Sequence, residues 1–272
     1  MLDLGCEVKR ALGLETLGSL LKQRGQADAI LALVREQGDT RDPSEITVRS
    51  VRVGPNGPEE RELSIAELRA AGTHLAKWEH VCRGCPARVR DEAFACYGAV
   101  RYPIEIATEE WLLSLLPDHL DTTAGEFLVK AVRDFGYDGG PVEEMRQRPE
   151  MFASAETIGI RWGDEDDAFS VTTDQLLQMF FFVGSIQPSH ATMLSLFVGS
   201  IPHDVSPQRF ATAIGDPKLL STLFARPSSA GGGWRNSPVP GSNETAQIGQ
   251  FRELFAALRL ATVLDTALLI DA

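Results

Sequence analysis

Three of the four cysteines fall within fifteen residues, in His80-Val81-Cys82-Arg83-Gly84-Cys85-Pro86 and in Cys96-Tyr97-Gly98. The fourth, Cys6, stands alone near the start of the sequence. A C-x2-C pair lets two thiolates reach one soft ion from a single tight turn, and Gly84 is expected to supply a positive φ there. Cys82, Cys85 and Cys96 give three thiolates, and a closed tetrahedral site needs a fourth donor. His80 is the local candidate. Cys6 is the distant one, and its use would tie the first helix to the cluster. The short C-x2-C with its glycine favours zinc, the first choice, whereas Pro86 directly after Cys85 favours a [4Fe–4S] cluster.

Two plainer readings compete with a metal. Cysteine packs readily as a small apolar residue, which would account for Cys6 and Cys96. The C-x2-C pair would also serve as a redox dithiol, although that leaves the third cysteine and the histidine unused. Other catalytic templates are missing: the sequence has no G-x-S-x-G, Walker, G-x-G-x-x-G or H-E-x-x-H motif. Ser189-His190 and His203-Asp204 are common turn residues and make a poor triad. Asp216-Pro217-Lys218 fails as a nuclease D-x-K because proline suits no central strand. The run from Asp164 to Asp167 lacks the glycine and distal glutamate of a calcium loop.

Charge narrows the partners. The net charge of −12 is almost all in residues 101–272, which carry −11, against −1 for residues 1–100. Duplex nucleic acid is not an expected partner, since its phosphates require a basic face. Arg83, Arg88, Arg90 and Arg101 make a local exception around the cysteines. The first residues show neither a basic start nor an apolar run, so a cytoplasmic location is expected, where clustered thiols stay reduced. Residues 175–202 contain no charged side chain, but Gln187-Pro188-Ser189-His190 breaks them into halves too short to cross a bilayer. A buried helical hairpin is expected there, with a membrane-inserting hairpin as the competing reading.

These chemical residues need a frame, and the patterning predicts an α+β, predominantly helical one. Residues 1–106 read as N-terminal helices broken at Gly25, a β-hairpin around Gly54-Pro55-Asn56-Gly57-Pro58, and the Cys-rich module. Ser64 is expected to cap the next helix with Glu67 as its capping-box partner, and that helix should run through Trp78 to the cysteines. Residues 107–224 read as a helical domain containing the uncharged hairpin, with 136–150 as a loop. Within that hairpin, Phe182-Val183-Gly184-Ser185-Ile186 recurs as Phe197-Val198-Gly199-Ser200-Ile201, taken as a small step where two helices pack closely. Residues 225–247 read as a flexible linker, and residues 248–272 as a tethered amphipathic helix, apolar through 270. That helix is expected to dock on its own domain, or on a protein partner or second copy.

The function expected from these features is a metal-stabilised, non-enzymatic interaction or regulatory subunit of a cytosolic assembly. An iron–sulfur or thiol-based redox sensor is the first alternative. A membrane-active protein using residues 175–202 is the second.

Overall fold

The computed structural model describes residues 1–3, 5–54, 57–164, 168–181, 184–224 and 245–270. The fold is α+β and predominantly helical, and its sheets are two-stranded. Most of the expected linker and of the acidic run after Asp164 lies outside the described residues. The chain divides into two compact units, residues 5–95 and residues 1–4 with 96–272.

In the unit of residues 5–95, α1 (Glu7–Leu12) and α2 (Leu14–Glu36) are separated at Gly13, whose φ of 76° no other residue type adopts cheaply. The break expected at Gly25 does not occur. A helical glycine costs only about 1 kcal/mol relative to alanine, and the packing of α2 outweighs that cost. Gly38, with φ 80°, follows α2 and stops it. β1 (Thr47–Gly54) and β2 (Gly57–Ser64) form the expected antiparallel hairpin, pairing Thr47 with Ser64 and Gly54 with Gly57. α3 (Ile65–Thr73) begins in the expected capping box. The Glu67 N–H donates to Ser64 Oγ at 3.2 Å, and the Ser64 N–H donates to Glu67 Oε2 at 2.7 Å. Ala27, Ile46, Ile65 and Leu68 make the core beneath. The helix expected to run on to the cysteines instead ends at Thr73. A 3-10 turn (Ala76–Trp78) and the single-turn α4 (Glu79–Cys82) replace it.

The second unit begins with α5 (Ile106–Leu113) and α6 (Thr123–Asp134). α7 (Gly140–Arg146) occupies the stretch expected as a loop: Pro141 falls in its first turn, where a missing N–H costs nothing. β3 (Gly159–Trp162) pairs with β4 (Phe169–Thr172). The uncharged segment folds as α8 (Thr173–Phe181), β5 (Ser185–Ile186) and α9 (Pro188–Phe197). Its sequence echo is a repeated helix stop rather than a close-packing step. Gly184 and Gly199 have φ of 63° and 71°, and the isoleucine two residues after each is fully buried.

α10 (Pro207–Ile214) and α11 (Pro217–Phe224) pack Phe210, Leu220 and Phe224 around Leu196 and Ile201. At the start of α11, Asp216 Oδ1 accepts the N–H groups of Lys218 and Leu219, a capping role rather than metal chemistry. α12 (Ala246–Val263) is shorter than the expected helix. It stops near Asp265, whose φ is 48°, and Leu268–Leu269 form β6, paired with β5. The greasy end of the chain is therefore a strand. Phe251, Phe255 and Leu258 are buried within the same unit, with Phe255 stacked on Trp111 at 5.7 Å, so own-domain docking uses the apolar face of α12. No helix among the described residues is long and apolar enough to cross a membrane.

Candidate metal centre

Within residues 5–95, the surroundings of Cys82 are built from both ends of the unit. Cys6 is the N-cap of α1, and its Sγ accepts the Lys9 N–H at 3.4 Å. Sulfur is a weak acceptor and cysteine an uncommon cap, where Ser, Thr, Asp or Asn would serve better. Cys82 closes α4 and is buried. The Cys85 N–H donates to the Cys82 carbonyl at 3.2 Å, which makes the turn between them. Gly84 does not take the expected positive φ, because this hydrogen-bonded turn continues the helical path of α4.

Beyond Cys85 the chain has no regular structure, yet it folds back: the Val89 N–H donates to the Ala95 carbonyl at 3.1 Å. Phe94 is buried with φ 59°, a left-handed conformation costly for an aromatic residue. The Arg24 guanidinium lies 5.1 Å from the Phe94 ring centroid. Arg88 and Arg90 are paired with Asp91 at 2.6 Å and Glu92 at 2.5 Å, which reduces the local basic rim.

Burial is the main force on the Cys82 thiol and pushes its pKa up. The Phe94 N–H pulls it down, the neighbouring Cys85 and Cys6 thiols push it up, and Arg24 pulls it down. The net direction is upward, so metal-free Cys82 is a protonated thiol at neutral pH and a poor nucleophile. A bound cation reverses this logic, since a coordinating thiol gives up its proton.

The two candidates for the fourth ligand stand in different surroundings. His80 and Cys82 are two residues apart on one helical turn, about 200° around its axis. Cys82 accordingly faces inward and His80 is exposed. Cys6 is half-buried at the N-cap of α1. Cys96 is half-buried and belongs to the other unit, where its carbonyl accepts the Leu2 N–H at 3.3 Å. The four cysteines are free thiols. Among the described residues, no three His, Cys, Asp or Glu side chains stand in a ready-made metal-binding group.

The second unit holds a polar cluster with no sequence motif. Arg146, at the end of α7, is buried and forks onto Glu109 of α5, with Nη1 to Oε1 at 3.0 Å and Nη2 to Oε2 at 2.8 Å. Its Nε donates to Asp174 Oδ1 at 3.1 Å, Nη2 also meets that oxygen, and Nη1 donates to the Glu156 carbonyl at 3.1 Å. Thr173 Oγ1 donates to Glu109 at 2.7 Å, and Thr157 Oγ1 to Asp174 at 2.6 Å. Burial works against the guanidinium charge, but the two carboxylates outweigh it and raise the Arg146 pKa. These partners engage all three guanidinium nitrogens, so the arginine is committed to the fold rather than to an anion.

The two histidine pairs do not assemble a catalytic triad. His203 Nε2–H donates to the Phe197 carbonyl at 3.1 Å, and His190 Nε2 meets Tyr137 Oη at 3.4 Å. Comparison with protein-family models, curated proteins and solved structures finds no match for this chain.

Proposed function

We propose that residues 5–95 form a metal-organised module and that the protein is a non-enzymatic interaction or regulatory subunit. Cys82 and Cys85 supply thiolates, and Cys96, with His80 or Cys6, completes the candidate ligand set. Zinc is the first choice of metal and a [4Fe–4S] cluster the second. The observation that carries this reading is the surroundings of Cys82. Cys82 and Cys85 lie on one hydrogen-bonded turn, and Phe94 holds a costly left-handed conformation at the far end of the loop that follows. Metal–thiolate bonds would also supply the cohesion that a loop with four buried residues, Cys82, Ala87, Phe94 and Ala95, otherwise lacks.

The test is purification without oxygen, followed by elemental analysis and a visible spectrum on one sample. About one zinc per chain and no colour supports the structural-zinc form. Iron with sulfide and a broad band near roughly 400 nm supports the cluster form. A metal-free, colourless protein that binds neither zinc nor iron on titration overturns the reading.

A further inference from the structure

The turn that joins Cys82 to Cys85 is a chemical arrangement in its own right. The Cys85 N–H donates to the Cys82 carbonyl at 3.2 Å, a bond that keeps the two Cα atoms within about 7 Å. Arg83 between them has helical φ and ψ of −59° and −35°. The two cysteines therefore stand three apart on one continuing helical path and share its face. At that spacing Cβ atoms lie about 5–6 Å apart, and a disulfide needs about 3.5–4.5 Å, so the turn has only to tighten by about 1–2 Å. Its outer side leaves room for that. Arg83 and Gly84 are exposed, a Cβ at Gly84 would meet nothing within 4 Å, and the chain beyond Cys85 is irregular.

The two thiols are both free but differ in access, since Cys82 is buried and Cys85 half-buried. We infer that Cys82 and Cys85 are a reversible dithiol, closed to a disulfide by exchange with a small disulfide. The Cys85 thiol gives its proton to water, and its sulfur attacks one sulfur of the small disulfide. An S–S bond forms to Cys85, the small S–S bond breaks, and the first small thiolate leaves and takes up a proton. Cys82 then gives up its proton and attacks the Cys85 sulfur, which releases the second small thiol. Two protein thiols are oxidised, and one small disulfide is reduced to two thiols. Cys85 reacts first because it is the accessible one. Cys82 resolves because it closes the shortest loop that any two cysteines of this chain offer. Two thiols suffice for this chemistry, so it does not depend on a metal. A disulfide there uses both sulfurs of the turn, so it and a soft metal held through them exclude one another.

The experiment uses the full chain, chelated and kept without oxygen, in glutathione buffers of rising oxidised fraction. Samples are quenched in acid, free thiols are alkylated, and the chain is cut with trypsin. Arg83 lies between the two cysteines, so trypsin parts them and only a disulfide keeps the fragments joined. The expected result is that the fragment ending at Arg83 and the one beginning at Gly84 stay joined as the oxidised fraction rises. They lose two alkylatable thiols and come apart on reduction. Cys82→Ser lacks the resolving thiol and should accumulate one glutathione on Cys85. Cys85→Ser should take up glutathione on Cys82 far more slowly.

Three results would overturn the dithiol. The wild-type chain could stop with glutathione on Cys85 and no joined fragments, which would mean that Cys82 does not resolve. Cys85 could be joined to Cys6 or Cys96 instead, which would take the chemistry away from the turn. Both thiols could stay alkylatable when nearly all the glutathione is oxidised, which would mean that the turn does not close. None of these reads metal content, which elemental analysis decides separately.

Discussion

In residues 96–272, a buried guanidinium meets two carboxylates, one threonine hydroxyl and two backbone carbonyls. In residues 5–95, a buried thiol is held in its neutral form chiefly by desolvation. Both groups are out of water, but their accounts close differently. The guanidinium cluster contains its own opposite charges, so each member stabilises the charged form of the next. Around the Cys82 thiol, burial and the other thiols oppose ionisation more than the Phe94 N–H and Arg24 favour it. The guanidinium cluster is complete as a fold element, whereas the thiols would be completed by the metal proposed above. The helices around each agree. Arg146 is locked by α5, α7 and α8, whereas Cys82 sits between a one-turn helix and an irregular loop.

Metal removal tests this contrast most strongly. The apparent binding energy of structural zinc, about 10–16 kcal/mol in small domains, is largely folding energy. Chelation should therefore shift the thermal transition of residues 5–95 far downward while that of the second unit stays put, followed by calorimetry of the full chain. Cys82→Ser should reproduce the chelated trace and become insensitive to zinc. A chelated protein whose transitions both stay in place would remove the contrast.

The complementary change is Arg146→Met, which leaves Glu109 and Asp174 buried without their cation. Breaking a buried ion pair from one side costs about 3–5 kcal/mol. Denaturant unfolding should show that loss in the second unit, with zinc stoichiometry unchanged. Replacing the three together, by Arg146→Met, Glu109→Leu and Asp174→Leu, should recover much of it, because an apolar filling removes the desolvation problem. A single substitution costing under about 1 kcal/mol would mean that water reaches the cluster, which would remove its self-sufficiency.

How far these regions were legible depends on the range of their signals. The capping box at Ser64 and Glu67 and the hairpin turn were readable because turn and cap chemistry is local. The cysteines were readable as a cluster, but the opposite facing of His80 and Cys82 was not, because it depends on both lying on one helical turn. Gly13 and Gly25 look alike in sequence, and only packing along α2 decided which one breaks it. The Phe-Val-Gly-Ser-Ile echo was real but meant a helix stop. Glu109, Arg146 and Asp174 left no trace, because 37 and 28 residues separate them and no local motif joins them.

A smaller effect belongs to the legible part of the module. Ser64→Ala removes the acceptor for the Glu67 N–H, and caps of this kind are worth about 1 kcal/mol. The loss should appear in the transition of residues 5–95 and persist whether or not zinc is present, because the cap acts on α3 and not on the cysteines. Glu67→Gln should retain most of the box, since its amide oxygen still accepts from Ser64. If the loss in Ser64→Ala vanished on zinc addition, capping and metal binding would be coupled, and the module would have to be treated as a single cooperative element.

The gentlest probe is pH, and it acts on the second unit. Burial lowers the pKa of His190 below its usual value near 6.5. Burial does the same to His203, although the Phe197 carbonyl, Asp118 and Asp204 pull the other way. Between the ordinary and lowered values the unfolded chain binds protons that the folded chain refuses, so the second unit loses stability as pH falls below about 6.5. Above that pH both states are neutral at these sites and the dependence disappears. His203→Gln keeps a donor for the Phe197 carbonyl and should flatten its share of the slope, measured by denaturant midpoints from neutral pH downward. The same descent protonates thiolates and releases zinc, so the two units diverge in one observable. Added zinc should rescue the acid-weakened transition of residues 5–95 and leave that of the second unit untouched. Equal rescue of both would mean that the histidines, and not the cysteines alone, bind the metal.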